Sequence, residues 1–131
     1  MNAANVLVVS AVLQAARGAL LGWPIALTQA NVIRASANAR RRLLQCHLDN
    51  LFMAALQFGV AAATEPPSWV AWCIAVGGWT NAQLFVIPLI RPALDPASRV
   101  IAAVAIPSFL LTTVGWVGLA ATTITTLATS T

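Results

Sequence analysis

The sequence predicts an all-α integral membrane protein, a four-helix bundle formed by a single transmembrane domain over residues 1–131. Three observations predict this fold. Of the 131 residues, 60% are hydrophobic. Only 8% are charged, whereas a soluble domain of ordinary composition is about one-quarter charged. The apolar residues also form four runs, and each run approaches the length of about 20 residues that a helix needs to cross a bilayer.

The links between the apolar runs contain residues that interrupt a membrane span. The first link is basic, with Arg40, Arg41 and Arg42 at its end. The second is Glu65-Pro66-Pro67-Ser68, whose consecutive prolines cannot continue a helix. The third has a predicted turn at Asp95-Pro96. The predicted spans cover residues 6–27, 46–64, 69–90 and 100–122. No lysine or arginine precedes residue 6, so the first run lacks the basic start of a signal peptide and is interpreted as a retained span.

The distribution of arginine predicts the orientation in the membrane. The first and third links hold six of the seven cationic residues, all of which are arginine, whereas the second link carries Glu65 and no cation. Basic links remain in the cytoplasm under the positive-inside rule. Four spans then place both termini outside the cytoplasm.

The net charge of +4 does not indicate nucleic acid as a partner. A nucleic-acid groove requires a solvated basic surface interleaved with aromatic residues. Here the arginines lie between apolar runs, where they act as topology signals. The partners expected are the lipid bilayer and a small apolar substrate.

The second span carries the only histidine of the chain, His47. Ionisable residues inside a span are costly and are candidates for a functional site. Helical offsets from His47 give a small and polar stripe on one face, and the opposite side suits lipid. The stripe is formed by His47, Asn50, Ala54, Gln57 and Ala61, and the opposite side by Leu48, Phe52, Leu56 and Val60. A lone histidine near a helix end is more often an interfacial polar residue, but Asn50 and Gln57 on its face favour a site.

Polar residues also interrupt the other spans. Arg17 lies near the middle of the first span, and a guanidinium there requires an anion, either Asp49 or a cofactor carboxylate. The third span contains Trp79-Thr80-Asn81-Ala82-Gln83, whose polar side chains either join helices through hydrogen bonds or build a site. Gly77-Gly78 permits close helix approach. The fourth span has a seam of small residues that favours packing, namely Ser108, Thr112, Gly115, Leu119 and Thr122.

Two of these segments carry a resemblance to a known family. The segment from Arg42 to Met53, RLLQCHLDNLFM, resembles the second-helix motif of the styrene oxide isomerase and hydroxylaminobenzene mutase family of small four-span bacterial membrane proteins. The stretch Gly77-Gly78-Trp79-Thr80-Asn81 is similar to the glycine-aromatic-x-asparagine pattern of that family. Chain length, number of spans and order of the motifs agree over residues 6–123.

The resemblance implies a haem b whose iron is ligated by His47, in a trimeric homo-oligomer of the bacterial cytoplasmic membrane. It implies that ferric haem acts as a Lewis acid on the oxygen of a small aromatic epoxide, which rearranges to a carbonyl compound by a 1,2-shift. The mutase branch rearranges aryl hydroxylamines to aminophenols. The haem propionates require cations. Arg17, Arg40 to Arg42, Arg91 and Arg99 are available, and Arg17 and Arg42 are the first candidates.

The chain departs from the family pattern at two places. Met53-Ala54 replaces the asparagine-glycine pair that usually follows the histidine, and Trp79 replaces an aromatic residue that is often tyrosine. Asn50, Asn81 and Trp79 are therefore the candidates for contacts with the substrate. Trp79 can donate a hydrogen bond but cannot accept one.

The alternative is a non-enzymatic four-span membrane protein, a transporter subunit or helper, in which His47 and Asp49 form a proton or contact site. Small multidrug transporters place an essential acid in their first span, whereas this first span has Arg17 and no acid. That difference favours the isomerase.

Overall fold

The structure is a computed structural model that describes residues 2–95 and 97–129. It confirms the predicted fold class, because the chain is 85% helical and forms four helices with no strand in the described part. Helix α1 covers Ala3–Gln29, α2 Ala37–Ala63, α3 Ser68–Ile90 and α4 Arg99–Thr129. Pro96, half of the predicted turn in the third link, lies outside the described residues.

Helix α2 begins nine residues before the predicted second span. Ser36 is its N-cap, and the Ser36 hydroxyl accepts a hydrogen bond from the Ala39 amide at 3.1 Å, which satisfies one of the free donors of the first turn. No proline or glycine interrupts the chain from there to residue 46. Arg40, Arg41 and Arg42 therefore lie on the first two turns of α2 rather than in a loop.

Helix α4 continues to residue 129, seven residues beyond the predicted end of the fourth span. The threonines of this last part donate their hydroxyls to carbonyls three or four residues earlier, as Thr122 does to Gly118 at 2.8 Å and Thr126 does to Thr122 at 2.9 Å. Such bonds let a polar threonine sequence remain helical in apolar surroundings.

The helices run alternately up and down. Helix α1 packs against α2 and α3, and α3 packs in addition against α4, which has no close backbone contact with α1 or α2 in the described chain. Three of the helices therefore form the body of the bundle, with α4 attached to the outer side of α3.

Each of the two adjacent glycines of α3 makes room for a different neighbouring helix. A Cβ on Gly77 would lie 2.6 Å from Thr112 Oγ1 and 2.8 Å from the Thr112 backbone nitrogen, whereas a Cβ on Gly78 would lie 2.9 Å from Gln57 Nε2. On α4, a Cβ on Gly115 would lie 2.9 Å from the backbone nitrogen of Ile74. Glycine is therefore what allows α3 to approach α4 on one side and α2 on the other.

The bundle is apolar at one end and polar at the other. The apolar core lies beside the link between α2 and α3 and consists of Val6, Leu7, Val60, Val70, Ala71, Ile74 and Ala75. The prediction that Val60 faces lipid is therefore wrong, because α1 and α3 cover it. Leu48 and Phe52 do face outward, with exposed fractions of 54% and 62%. The buried polar side chains lie further along, towards the link between α1 and α2.

Three described helices, α1, α3 and α4, are long and apolar enough to cross a membrane. Helix α2 is long enough, at 27 residues, but its arginines and its polar stripe make it less apolar than the other three. Its polar residues Cys46, Asn50 and Gln57 are buried against the other helices.

Candidate functional site

His47 lies on the side of α2 that faces α1. Its Nδ1 is 2.7 Å from the carbonyl oxygen of Gly18. A carbonyl oxygen can only accept a hydrogen bond, so Nδ1 carries a proton, and of the two neutral tautomers the one compatible with this contact has its lone pair on Nε2. A histidine whose Nδ1–H is held by a backbone carbonyl is oriented in the way that metal-ligating histidines are.

Two glycines of α1, one turn apart, lie beside this contact. A Cβ added to Gly18 would lie 2.7 Å from Leu51 Cδ2, so this glycine makes room for Leu51. A Cβ added to Gly22 would lie 3.6 Å from His47 Cε1, which is an ordinary van der Waals distance. The imidazole therefore lies over α1 between Gly18, whose carbonyl it contacts, and Gly22.

The surface of α2 around His47 is apolar and open. Leu44, Leu48 and Leu51 precede and follow His47 on adjoining positions of the helix, and each is more than one-third exposed. Arg40 lies seven residues, two helical turns, before His47 and hence on nearly the same face; it too is exposed. A partly buried imidazole thus has apolar surface around it and a cation on its own face.

Arg17 is not near this surface but inside the bundle, against α3. Its Nη2 donates a hydrogen bond to Gln83 Oε1 at 3.0 Å, and its guanidinium carbon lies 5.7 Å from the centroid of the Trp79 ring. The Trp79 indole nitrogen donates in turn to Ser10 Oγ at 3.1 Å. The partner of Arg17 in the described chain is an amide and an aromatic ring, rather than Asp49.

A second polar contact joins α1 to α2 in the centre of the bundle. Gln57 Nε2 donates to Gln14 Oε1 at 3.4 Å, and both side chains are completely buried. Gln14 Nε2 and Gln57 Oε1 have no hydrogen-bond partner among the described residues. Gly78 of α3 leaves the space that these two amides occupy.

Asn50 and Asn81 differ in how their amides are used. Asn50 is completely buried and donates to the Cys46 carbonyl at 2.7 Å, which leaves its Oδ1 without a partner. Asn81 is half-buried on α3, one turn after Gly77 and one turn before Phe85. Its side chain makes no hydrogen bond within the described residues.

The structure brings some of the candidate residues together and separates others. Trp79 lies against Arg17, and Asn50 lies in the core between α2 and its neighbours, but in the described chain neither is hydrogen-bonded to His47. Arg42 lines a groove that also contains Phe85, on a different side of α2 from His47. Of the three arginines at the start of α2, the one on the face of His47 is Arg40, not Arg42.

His47 and Asp49 lie on different sides of α2. They are two residues apart, which is about 200° around a helix. His47 contacts α1, whereas Asp49 lines a groove together with Phe85 of α3.

Sequence reasoning missed four residues of this part of the bundle, namely Ser10, Gln14, Gly18 and Gly22. A signal was present, because Ser10, Gln14 and Arg17 follow one another at offsets of four and three in an otherwise apolar run. Those offsets place the three on one face, and that face meets α2 and α3.

In residues 2–95 and 97–129 no group of three or more histidine, cysteine, aspartate or glutamate side chains could hold a metal ion. Comparisons of the chain with protein-family models, with curated proteins and with solved structures found no match.

Proposed function

We propose that the protein is a membrane-embedded haem-dependent isomerase in which Nε2 of His47 would hold the haem iron. The observation that carries the proposal is the contact between His47 Nδ1 and the Gly18 carbonyl oxygen at 2.7 Å. It fixes the tautomer whose Nε2 lone pair is free. Neutral imidazole is a common protein ligand of haem iron, and a hydrogen bond from its other nitrogen raises the basicity of the ligand.

The surroundings of His47 fit a flat apolar group with acidic substituents. Exposed leucines at positions 44, 48 and 51 offer apolar contact. Arg40 on the same face, at the basic start of α2, would pair with a propionate. Arg40 was among the cations that the sequence made available, after Arg17 and Arg42 as first candidates. It fits this role better than Arg17, which already binds Gln83.

A haem held at His47 would supply a Lewis-acidic iron for the oxygen of a small aromatic epoxide. The chain's own residues would bind and orient the substrate. Of the three candidates, Trp79 and Asn50 already use their hydrogen-bond donors within the chain. Asn81 has a free amide that can donate to an oxygen on which charge develops, and it is therefore the residue proposed to act on the substrate.

His47 faces α1, whereas Asn81 lies on α3 between the residues that contact α4 and the groove with α2. A site that uses both is therefore proposed to form between copies of the chain, with His47 from one and Asn81 from another. This arrangement agrees with the homo-oligomer that the family resemblance implies. An apolar substrate would reach such a site from the lipid phase.

The proposal is tested by the haem content of purified protein, expressed with a haem precursor. His47→Ala should abolish the haem absorption band and the conversion of an aromatic epoxide such as styrene oxide. Asn81→Ala should keep the haem and lower turnover by about 10²–10³-fold, the usual effect of removing one donor to a developing oxyanion.

Asp49→Asn, on the other flank of α2, is the matched control and should leave the haem content unchanged. Wild-type protein without a haem band after haem-replete expression would refute the proposal, and so would a His47→Ala variant that retains its haem. Circular dichroism of each variant shows whether the helices remain intact.

A further inference from the structure

A groove between α2 and α3 lies on the opposite flank of α2 from His47. It has a volume of about 630 Å³ and is open on its outer side, and ligand pockets usually measure about 300–1,000 Å³. Its lining is apolar except for two side chains of α2, Gln45 and Asp49. The apolar side chains are Leu48, Leu51, Phe52 and Phe85.

Asp49 is the residue of this groove that the proposed isomerase does not use. Its Oδ2 is buried and accepts no hydrogen bond from any described residue. A buried carboxylate oxygen without a donor is unfavourable in apolar surroundings. In a membrane protein such a residue is a candidate site whose partner has to be found.

The chemistry of the groove defines that partner. A carboxylate attracts a cation, and the leucines and phenylalanines favour an apolar body. The rings of Phe52 and Phe85 also attract a positive charge through their π faces. A neutral lipid chain would leave the carboxylate unpaired, and an anion would be repelled by it.

We propose that the groove formed by Asp49, Phe52 and Phe85 binds lipophilic organic cations that enter from the bilayer. Asp49 and His47 lie about 200° apart around α2, whereas Leu48 and Leu51 adjoin both sites. The ion pair with Asp49 therefore needs no charged group from the site at His47. The groove next to it shares Gln45 and Phe85 and contains Arg41 and Arg42, so the cation would lie at the Asp49 end, away from the arginines.

The test is equilibrium binding of tetraphenylphosphonium to the purified full-length protein in lipid nanodiscs. Tetraphenylborate, which has the same shape and the opposite charge, is the control ligand. Asp49→Asn should weaken phosphonium binding by about tenfold or more, since the partner of a buried charge is removed. Asp49→Glu should retain it, and Phe85→Leu should weaken it to a smaller extent.

Asp95→Asn removes an exposed acid that is not among the residues lining the groove and should leave phosphonium binding unchanged, which controls for net charge. Equal affinity of wild type and Asp49→Asn would overturn the proposal. It would also be overturned if Asp49→Asn dissociated an oligomer, because Asp49 would then pair with a second copy. Equal binding of the borate and the phosphonium would show partitioning into lipid only.

Discussion

At the scale of single residues, Arg17 shows how far a partner can differ from the one that charge alone suggests. The sequence indicates an anion for a guanidinium in the middle of a span. In the structure the guanidinium donates to Gln83 and lies over Trp79, so a neutral amide and an aromatic ring stabilise it. A hydrogen bond from a charged donor to a neutral acceptor is stronger than one between two neutral groups. The contribution of this contact to the free energy of unfolding can therefore be measured.

We expect a favourable coupling free energy between Arg17 and Gln83 of about 0.5–2 kcal/mol. The measurement is a double-mutant cycle of Arg17→Leu and Gln83→Leu on the free energy of unfolding in detergent. The combined variant should lose less stability than the sum of the two single variants.

A second cycle, of Arg17→Leu with Asp49→Asn, is the control for the Arg17 experiment and should give a coupling near zero. A large coupling free energy between Arg17 and Asp49 would instead show that these two residues form the ion pair that the sequence suggested. Arg17→Leu should also keep its haem, because Arg17 lies inside the bundle; loss of haem with intact helices would show that Arg17 holds the cofactor.

The residues of the candidate site were predictable to different degrees. The helical spacing of His47, Asn50 and Gln57 predicted one inward face of α2, and all three are at least partly buried. Spacing on one helix could not give the rotation of that helix against its neighbours. The contact of His47 with Gly18 depends on that rotation.

At the scale of helices, side-chain hydrogen bonds determine where α2 begins and where α4 ends. A prediction from hydropathy alone does not include these bonds. The Ser36 cap extends α2 towards its N-terminus, and the threonine hydroxyls extend α4 towards its C-terminus. The central positions of all four helices follow from apolar run length, which is why the fold class was predictable.

The close approach of α3 and α4 at Gly77 can be tested by substitution. Gly77→Ala should lower the free energy of unfolding by about 1–3 kcal/mol, because the new Cβ would meet backbone atoms of Thr112 at 2.8 and 3.0 Å. Backbone atoms cannot move aside as a side-chain end can, so α3 and α4 would separate.

Gly59→Ala is the control for Gly77→Ala. A Cβ on Gly59 of α2 meets nothing within 4 Å, and replacing a helical glycine by alanine stabilises a helix by up to about 1 kcal/mol. Unfolding in detergent, followed by helical circular dichroism, measures both variants. Equal stability of the two would contradict the close approach of α3 and α4.

At the scale of the whole molecule, six of the seven arginines collect at one end of the bundle. They lie where α1 and α3 end and where α2 and α4 begin, namely at residues 34, 40, 41, 42, 91 and 99. Arg17 is the seventh. The opposite end, at the link between α2 and α3, carries Glu65 and no arginine. From this asymmetry the positive-inside rule predicts that the end of the bundle with the arginines faces the cytoplasm.

The number of spans depends on α2, because the other three helices are apolar enough to cross alone. If α2 spans as well, both termini lie on the same side of the membrane; if it does not, they lie on opposite sides. The polar side chains of α2 at positions 46, 50 and 57 are buried within the bundle, whereas outward residues such as Leu48 and Phe52 are apolar. A folded α2 thus presents lipid with an apolar surface.

We therefore expect four spans, with both termini outside the cytoplasm. Fusions of alkaline phosphatase, which is active only outside, to either terminus should be active, and fusions of a fluorescent protein that matures only in the cytoplasm should be dark. A fusion in the link between α1 and α2 is the internal control and should behave in the opposite way. Termini on opposite sides would show that α2 does not cross, and two cytoplasmic termini would show that the arginines do not set the orientation.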